Sequence, residues 1–156
     1  MPKDDMIHLT WAEVLLAATV GVMRSVQDKK EGRGNRFGCS EKEEWQVSID
    51  GAIAEMAFAK WSGKFWSGAI GNLKARDVGG FQVRSVRDDG RRLILHPTDD
   101  DDDIFVLMTG FDREWRVSGF IQARFGKNED YWQDPTGRGR HAFFVPRGVL
   151  LHEVEL

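Results

Sequence analysis

The stretch Asp77-Val-Gly-Gly-Phe-Gln-Val-Arg-Ser-Val86 decides how the rest of the chain is read. From Phe81 onward apolar and polar side chains alternate with the period of a strand. Gln82 and Arg84 stand two apart, so both point to one side of the sheet. Ahead of them, Gly79-Gly80 permits a sharp bend or bulge that would bring Asp77 near Gln82. A carboxylate, an amide and a guanidinium are therefore expected together at the start of one strand.

Further strands are expected downstream at residues 93–95, 104–108 and 115–121, with 88–91 as a turn. Residues 104–108 form a continuous apolar run, as in a central strand buried on both faces. Residues 125–140 are polar and glycine-rich, and 142–145 and 149–151 are the last apolar pieces. Upstream the period is helical. Thr10 can cap a helix over residues 11–29, with Glu13 completing a capping box. Leu15, Leu16, Thr19, Val22, Met23 and Val26 recur at three- and four-residue spacing and give it one apolar face. Residues 31–38 read as a mobile basic loop. A second helix is expected over residues 43–61. Its small residues Gly51, Ala52, Ala54, Ala57 and Ala59 would let another element pack close, and Glu55 lies at its middle.

Two helices followed by short strands predict an α/β class with α+β-like order: a central mixed sheet of four to five strands with the N-terminal helices packed on it. We read residues 1–156 as a single domain. Residues 1–42 hold the first helix and the basic loop, and residues 43–156 form the core.

Composition narrows the function. The net charge of −3 argues against a protein that binds nucleic acid with its whole surface, so any such binding would use a local patch. Cys39 is the only cysteine, which excludes a disulfide framework or a cysteine zinc cluster within one chain. No apolar run reaches the roughly 18–20 residues of a membrane span, and the apolar stretch 11–23 lacks signal-peptide features. A cytoplasmic protein with no membrane partner is expected. Glycine-rich nucleotide-binding motifs are missing, and the histidines show no metal-ligand spacing. The run of five aspartates at 99–103 lacks the spacing of an EF-hand and reads as a solvated turn before a buried strand.

The order of helical Glu55, then Asp77, then a strand with Gln82-x-Arg84, then a buried apolar strand resembles the PD-(D/E)XK nuclease superfamily, with its restriction-endonuclease-like core. Segments 51–60, 77–85, 104–107 and Phe144-Val-Pro146 are also similar to a group of uncharacterised phage and prophage proteins. The resemblance covers residues 50–151. It implies a metal-dependent nuclease of the endonuclease or resolvase type, hydrolysing DNA phosphodiester bonds with Mg²⁺ or Mn²⁺. Asp77 would be the main metal ligand, joined by Gln82, the backbone carbonyl of Val83 and Glu55, the last directly or through water. Arg84 would stand in the place of the lysine. Resolvases of this fold usually act as dimers, so a homodimer is also implied.

Two departures matter. Gln82 in place of a carboxylate removes a negative charge from the metal site. An arginine cannot serve as a general base near neutral pH, although it can hold a phosphate by two-point contact. A catalytically inactive nucleic-acid- or protein-binding module on the same fold is therefore the alternative, and an unrelated α+β interaction protein is a third reading. Each residue also has a plainer role: Glu55 on an exposed helix face, Asp77 starting a turn, Gln82 and Arg84 on the solvent side of an edge strand. Two basic segments could meet nucleic acid. One holds Arg24, Lys29, Lys30, Arg33 and Arg36. The other holds Arg124, Lys127, Arg138, Arg140 and Arg147, with Tyr131 and Trp132 interleaved for stacking on bases. Their plainer reading is two solvated loops with a tryptophan pinned to the core.

Overall fold

Strand β4 (Ile104–Phe111) runs through the middle of a three-layer arrangement. This computed structural model describes residues 6–33, 41–71 and 75–155. Alternate residues of β4 enter two separate cores. Val106 and Met108 join Ile53, Ala54, Ala57 and Phe58 on the helix side. Phe105 and Leu107 join Leu93, Leu95, Val145 and Leu150 on the other side. Burial on both faces is what the continuous apolar run predicted.

The central sheet has the order β1-β5-β4-β2. Strands β1 (Ile7–His8) and β5 (Glu114–Gln122) are antiparallel to their neighbours, and β2 (Phe81–Val86) is parallel to β4. The expected central mixed sheet with N-terminal helices on it is therefore present. The later apolar pieces divide differently from expectation. Strands β3 (Leu93–Leu95), β6 (Trp132–Gln133) and β7 (Ala142–Val145) form a second sheet, in the order β3-β7-β6. Residues 149–151 form no strand of their own: a 3₁₀ turn, Arg147–Val149, is followed by a single bridge from Leu151 to Phe120. Within the polar stretch lie a short helix α3 (Ala123–Gly126) and a 3₁₀ turn, Glu129–Tyr131.

Helices α1 (Trp11–Lys30) and α2 (Glu41–Ser62) form the third layer. The capping box is complete: Thr10 Oγ1 accepts from the Glu13 amide at 3.1 Å, and Glu13 Oε1 accepts from the Thr10 amide at 3.0 Å. Phe58 of α2 meets Phe81 and Phe120 of the sheet edge-to-face, at centroid distances of 5.5 and 6.1 Å.

The orientation of α1 is unexpected. An apolar stripe ordinarily marks the buried side of a helix, yet Leu15, Leu16 and Met23 are 67%, 62% and 51% exposed. The buried face instead carries Ala17, Gly21 and Ser25. The cause is close approach to α2: a Cβ on Gly21 would lie 2.6 Å from both Ile49 Cα and Ser48 O. Leucines could not fit there. Close packing thus depends on Gly21 of the first helix, whereas Gly51 of the second faces open space.

Candidate active site

Asp77 is positioned by the turn that precedes β2. Gly79 and Gly80 adopt φ of 51° and 93°, a region other residues rarely enter. The Phe81 amide donates to Val78 O at 2.8 Å, and the Asp77 amide donates to Phe81 O at 2.9 Å. The doubled-back chain places Asp77 Oδ2 2.7 Å from the Val83 amide, from which it accepts. Because β2 is the edge of the central sheet, Val83 has no second strand to pair with, and Asp77 satisfies its outward N–H. In an extended strand the N–H and C=O of one residue point the same way. The Val83 carbonyl therefore faces the same open edge, while its side chain packs against the helix-side core.

On the helix side of this edge stands Glu55, only 6% exposed. It is not an exposed helix residue. Arg24 of α1 grips it with two bonds, Nη1 to Oε2 at 2.6 Å and Nη2 to Oε1 at 3.0 Å, and Trp66 Nε1 donates to Oε1 at 3.0 Å. Arg24 Nε donates to Ala69 O at 3.0 Å. Burial opposes the charge of Arg24, but its bonds to Glu55 and the charges of Glu55 and Asp77 outweigh this and raise its pKa. Asp77 has no such partner among the described residues. Burial and the neighbouring charge of Glu55 push its carboxyl up to about 7, against the opposing influence of the Val83 amide, Arg84 and Arg24.

On the other side, Gln82 and Arg84 point together as the strand period requires. Gln82 Nε2 donates to Asp103 Oδ2 at 3.0 Å, and Arg76 Nε donates to Asp103 Oδ1 at 3.0 Å. Arg84 Nη2 bonds both oxygens of Asp99 at 2.8 and 2.9 Å, and its guanidinium lies 4.9 Å from the Phe105 ring centre. Arg84 Nε is buried without a partner. Asp99 also accepts from the His96 amide at 2.7 Å. The aspartate run is therefore not simply a solvated turn: Asp100, Asp101 and Asp102 are exposed, while Asp99 and Asp103 turn inward.

Asp77, Gln82, Arg84 and Arg24 line one cleft of about 1000 Å³, together with Arg76, His96, Asp99, Asp103 and Phe105. Glu55 is not among the lining residues; its carboxylate is held by Arg24 and Trp66. Among the described residues no group of three or more histidine, cysteine or acidic side chains is arranged to hold a metal ion. Of the carboxylates that line the cleft, Asp28, Asp99 and Asp103 pair with Arg33, Arg84 and Arg76, Asp100 accepts from the Asp102 amide, and Asp77 accepts from the Val83 amide.

The wider basic segments are largely neutralised. Lys29 pairs with Glu44 at 3.0 Å and covers Trp45, and Arg33 pairs with Asp28 and Glu31. Arg124 pairs with Asp102, and Lys127 with Asp101 at 2.6 Å. Trp132 stacks on His141, with centroids 5.2 Å apart, and packs against Phe143. Arg147 is a structural clamp, donating to Asp88 O, Arg91 O and Thr109 Oγ1. Lys30, Arg138 and Arg140 are exposed and have no ion-pair partner among the described residues. Arg36 and Cys39 lie outside the described residues.

Sequence reasoning placed Arg24 in a surface patch and missed its part in the site. The available signal was its place on α1 beside Gly21 and Ser25, the small face that packs on α2. Comparison with family models, curated proteins and solved structures finds no match for this chain.

Proposed function

We propose that the chain is a metal-dependent nuclease that hydrolyses DNA phosphodiester bonds in the cleft beside β2. The observation that carries this reading is Asp77, a carboxylate held at the cleft edge with a pKa of about 7 and, among the described residues, no cationic side chain bonded to it. A cation placed there would relieve the repulsion between Asp77 and Glu55. Asp77, the Val83 carbonyl and the Gln82 amide oxygen offer an all-oxygen set that fits a hard cation such as Mg²⁺ or Mn²⁺. When bound, the cation supplies Lewis acidity and a more acidic bound water.

The remaining roles belong to the chain itself. Arg84 and Arg24 would hold phosphate oxygens; Arg84 gains by turning to an anion because its Nε lacks a partner in the present pose. Asp99 and Phe105 set the position from which Arg84 acts. Glu55 acts on the site through its charge while Arg24 holds it, and would become a ligand only if Arg24 turned away. Lys30, Arg138 and Arg140 would serve as backbone contacts.

Incubation with Mg²⁺ or Mn²⁺ and linear, single-stranded, flap and branched DNA tests this reading. Metal-dependent cutting that disappears in Asp77→Ala is expected. A folded wild type that cuts none of these would leave the second reading, a non-catalytic binding module. One observation favours that second reading: with a neutral Gln82 and with Glu55 held by Arg24, the oxygen set offered to a cation contains a single carboxylate, Asp77.

A further inference from the structure

We propose that the outward face of α1 is an interface through which two copies of this chain associate about a two-fold axis. From Trp11 to Val26 the exposed residues of α1 are Trp11, Ala12, Leu15, Leu16, Thr19, Val22, Met23 and Val26, and none is charged. Ala12, Leu15, Thr19, Val22 and Val26 follow one another at three, four, three and four residues. This is the spacing of a seam between paired helices, flanked here by Leu16 and Met23. Thr19 makes no demand on a partner, since its hydroxyl donates to Leu15 O at 2.8 Å.

The patch has the size an interface needs. It offers on the order of 600 Å² per copy, so two copies would bury about 1,200 Å², the lower bound for a stable specific interface. A second copy is the occupant that this chemistry selects. A two-fold contact lays the same uncharged stripe against itself, so neither side buries an unpaired charge. An anionic lipid surface would call for several free basic residues beside the stripe, but Arg24, Lys29 and Arg33 are engaged by Glu55, Glu44 and Asp28, which leaves Lys30 as the one basic residue of α1 without an ion-pair partner among the described residues. The nuclease resemblance also implies a homodimer, but the observation that carries this interface, the uncharged stripe of α1, does not depend on that reading.

Sedimentation equilibrium on the full chain between about 1 and 100 µM tests it. A mass of twice 17.8 kDa is expected for the wild type. Leu15→Lys/Met23→Lys should be monomeric over that range with an unchanged circular dichroism spectrum. Glu129→Gln/Asp130→Asn, which changes the net charge by the same two units elsewhere on the surface, should stay dimeric. The milder Leu16→Ala/Met23→Ala, which adds no charge, should weaken association at least about tenfold. A monomeric wild type would overturn the proposal, and so would dimers that persist unchanged in both stripe variants. A monomeric wild type that binds vesicles of anionic lipid would assign the stripe to a membrane surface instead.

Discussion

The two sides of the edge strand β2 handle charge in opposite ways. On the open side, Arg84 contacts Asp99, and Arg76 contacts Asp103, so two carboxylates meet two guanidiniums directly. On the helix side, two carboxylates share one guanidinium: Arg24 is spent on Glu55, and Asp77 is left with a backbone amide. The balanced side is suited to holding groups in place. Among the described residues the unbalanced side has a deficit of one positive charge, which is where a cation would gain most.

Changing Asp77 should have the largest effect. Asp77→Asn keeps an acceptor for the Val83 amide but removes the charge, so cleavage is expected to fall by at least about a thousandfold in a quantitative nicking assay. Next comes the buried pair. Arg24→Ala leaves Glu55 buried, uncompensated and close to Asp77, and should cost about 3–5 kcal/mol in urea unfolding. Glu55→Ala should cost less, because the Arg24 side chain is 25% exposed and can turn toward water.

A pH series sharpens the contrast. The folded-state pKa of Asp77, about 7, lies above its ordinary 3.8, so the folded protein retains this proton where the unfolded chain has lost it. The contribution of Asp77 is therefore most favourable below pH 4, declines as pH rises to about 7, and is constant above that. In metal-free buffer the wild type should lose about 2–4 kcal/mol relative to Asp77→Asn across that window, as read by urea unfolding at each pH. The variant that loses activity should thus be the more stable protein at pH 8. The smallest effect is expected on the balanced side: Asp99→Asn keeps the shape and part of the bonding to Arg84 and the His96 amide, and should cost about 1 kcal/mol by the same measurement.

Local signals made part of this legible in the sequence. The capping box at Thr10, the turn at Gly79-Gly80 and the two-sided burial of β4 each depend on a few neighbouring residues. The division of strands between two sheets does not: Leu93–Leu95 has the same apolar pattern whichever strand it pairs with. Periodicity also groups the residues of α1 by face without saying which face α2 covers. The small residues Ala17, Gly21 and Ser25, rather than the leucines, mark the contact. In the site, Gln82 and Arg84 could be read from strand spacing, and Asp77 from the Gly79-Gly80 bend. Arg24, Asp99 and Asp103 could not, because they arrive from a helix face and a charged turn distant in the chain.

Calorimetric titration with Mn²⁺ at pH 7 tests whether the deficit beside Asp77 is a cation site, without requiring a substrate. Single-site binding to the wild type is predicted, with release of roughly half a proton per ion as Asp77 ionises, read from buffers of different ionisation enthalpy. Binding and proton release should both vanish in Asp77→Asn. A wild type that binds no ion, or an Asp77→Asn variant that binds it equally well, would show that Asp77 holds no cation.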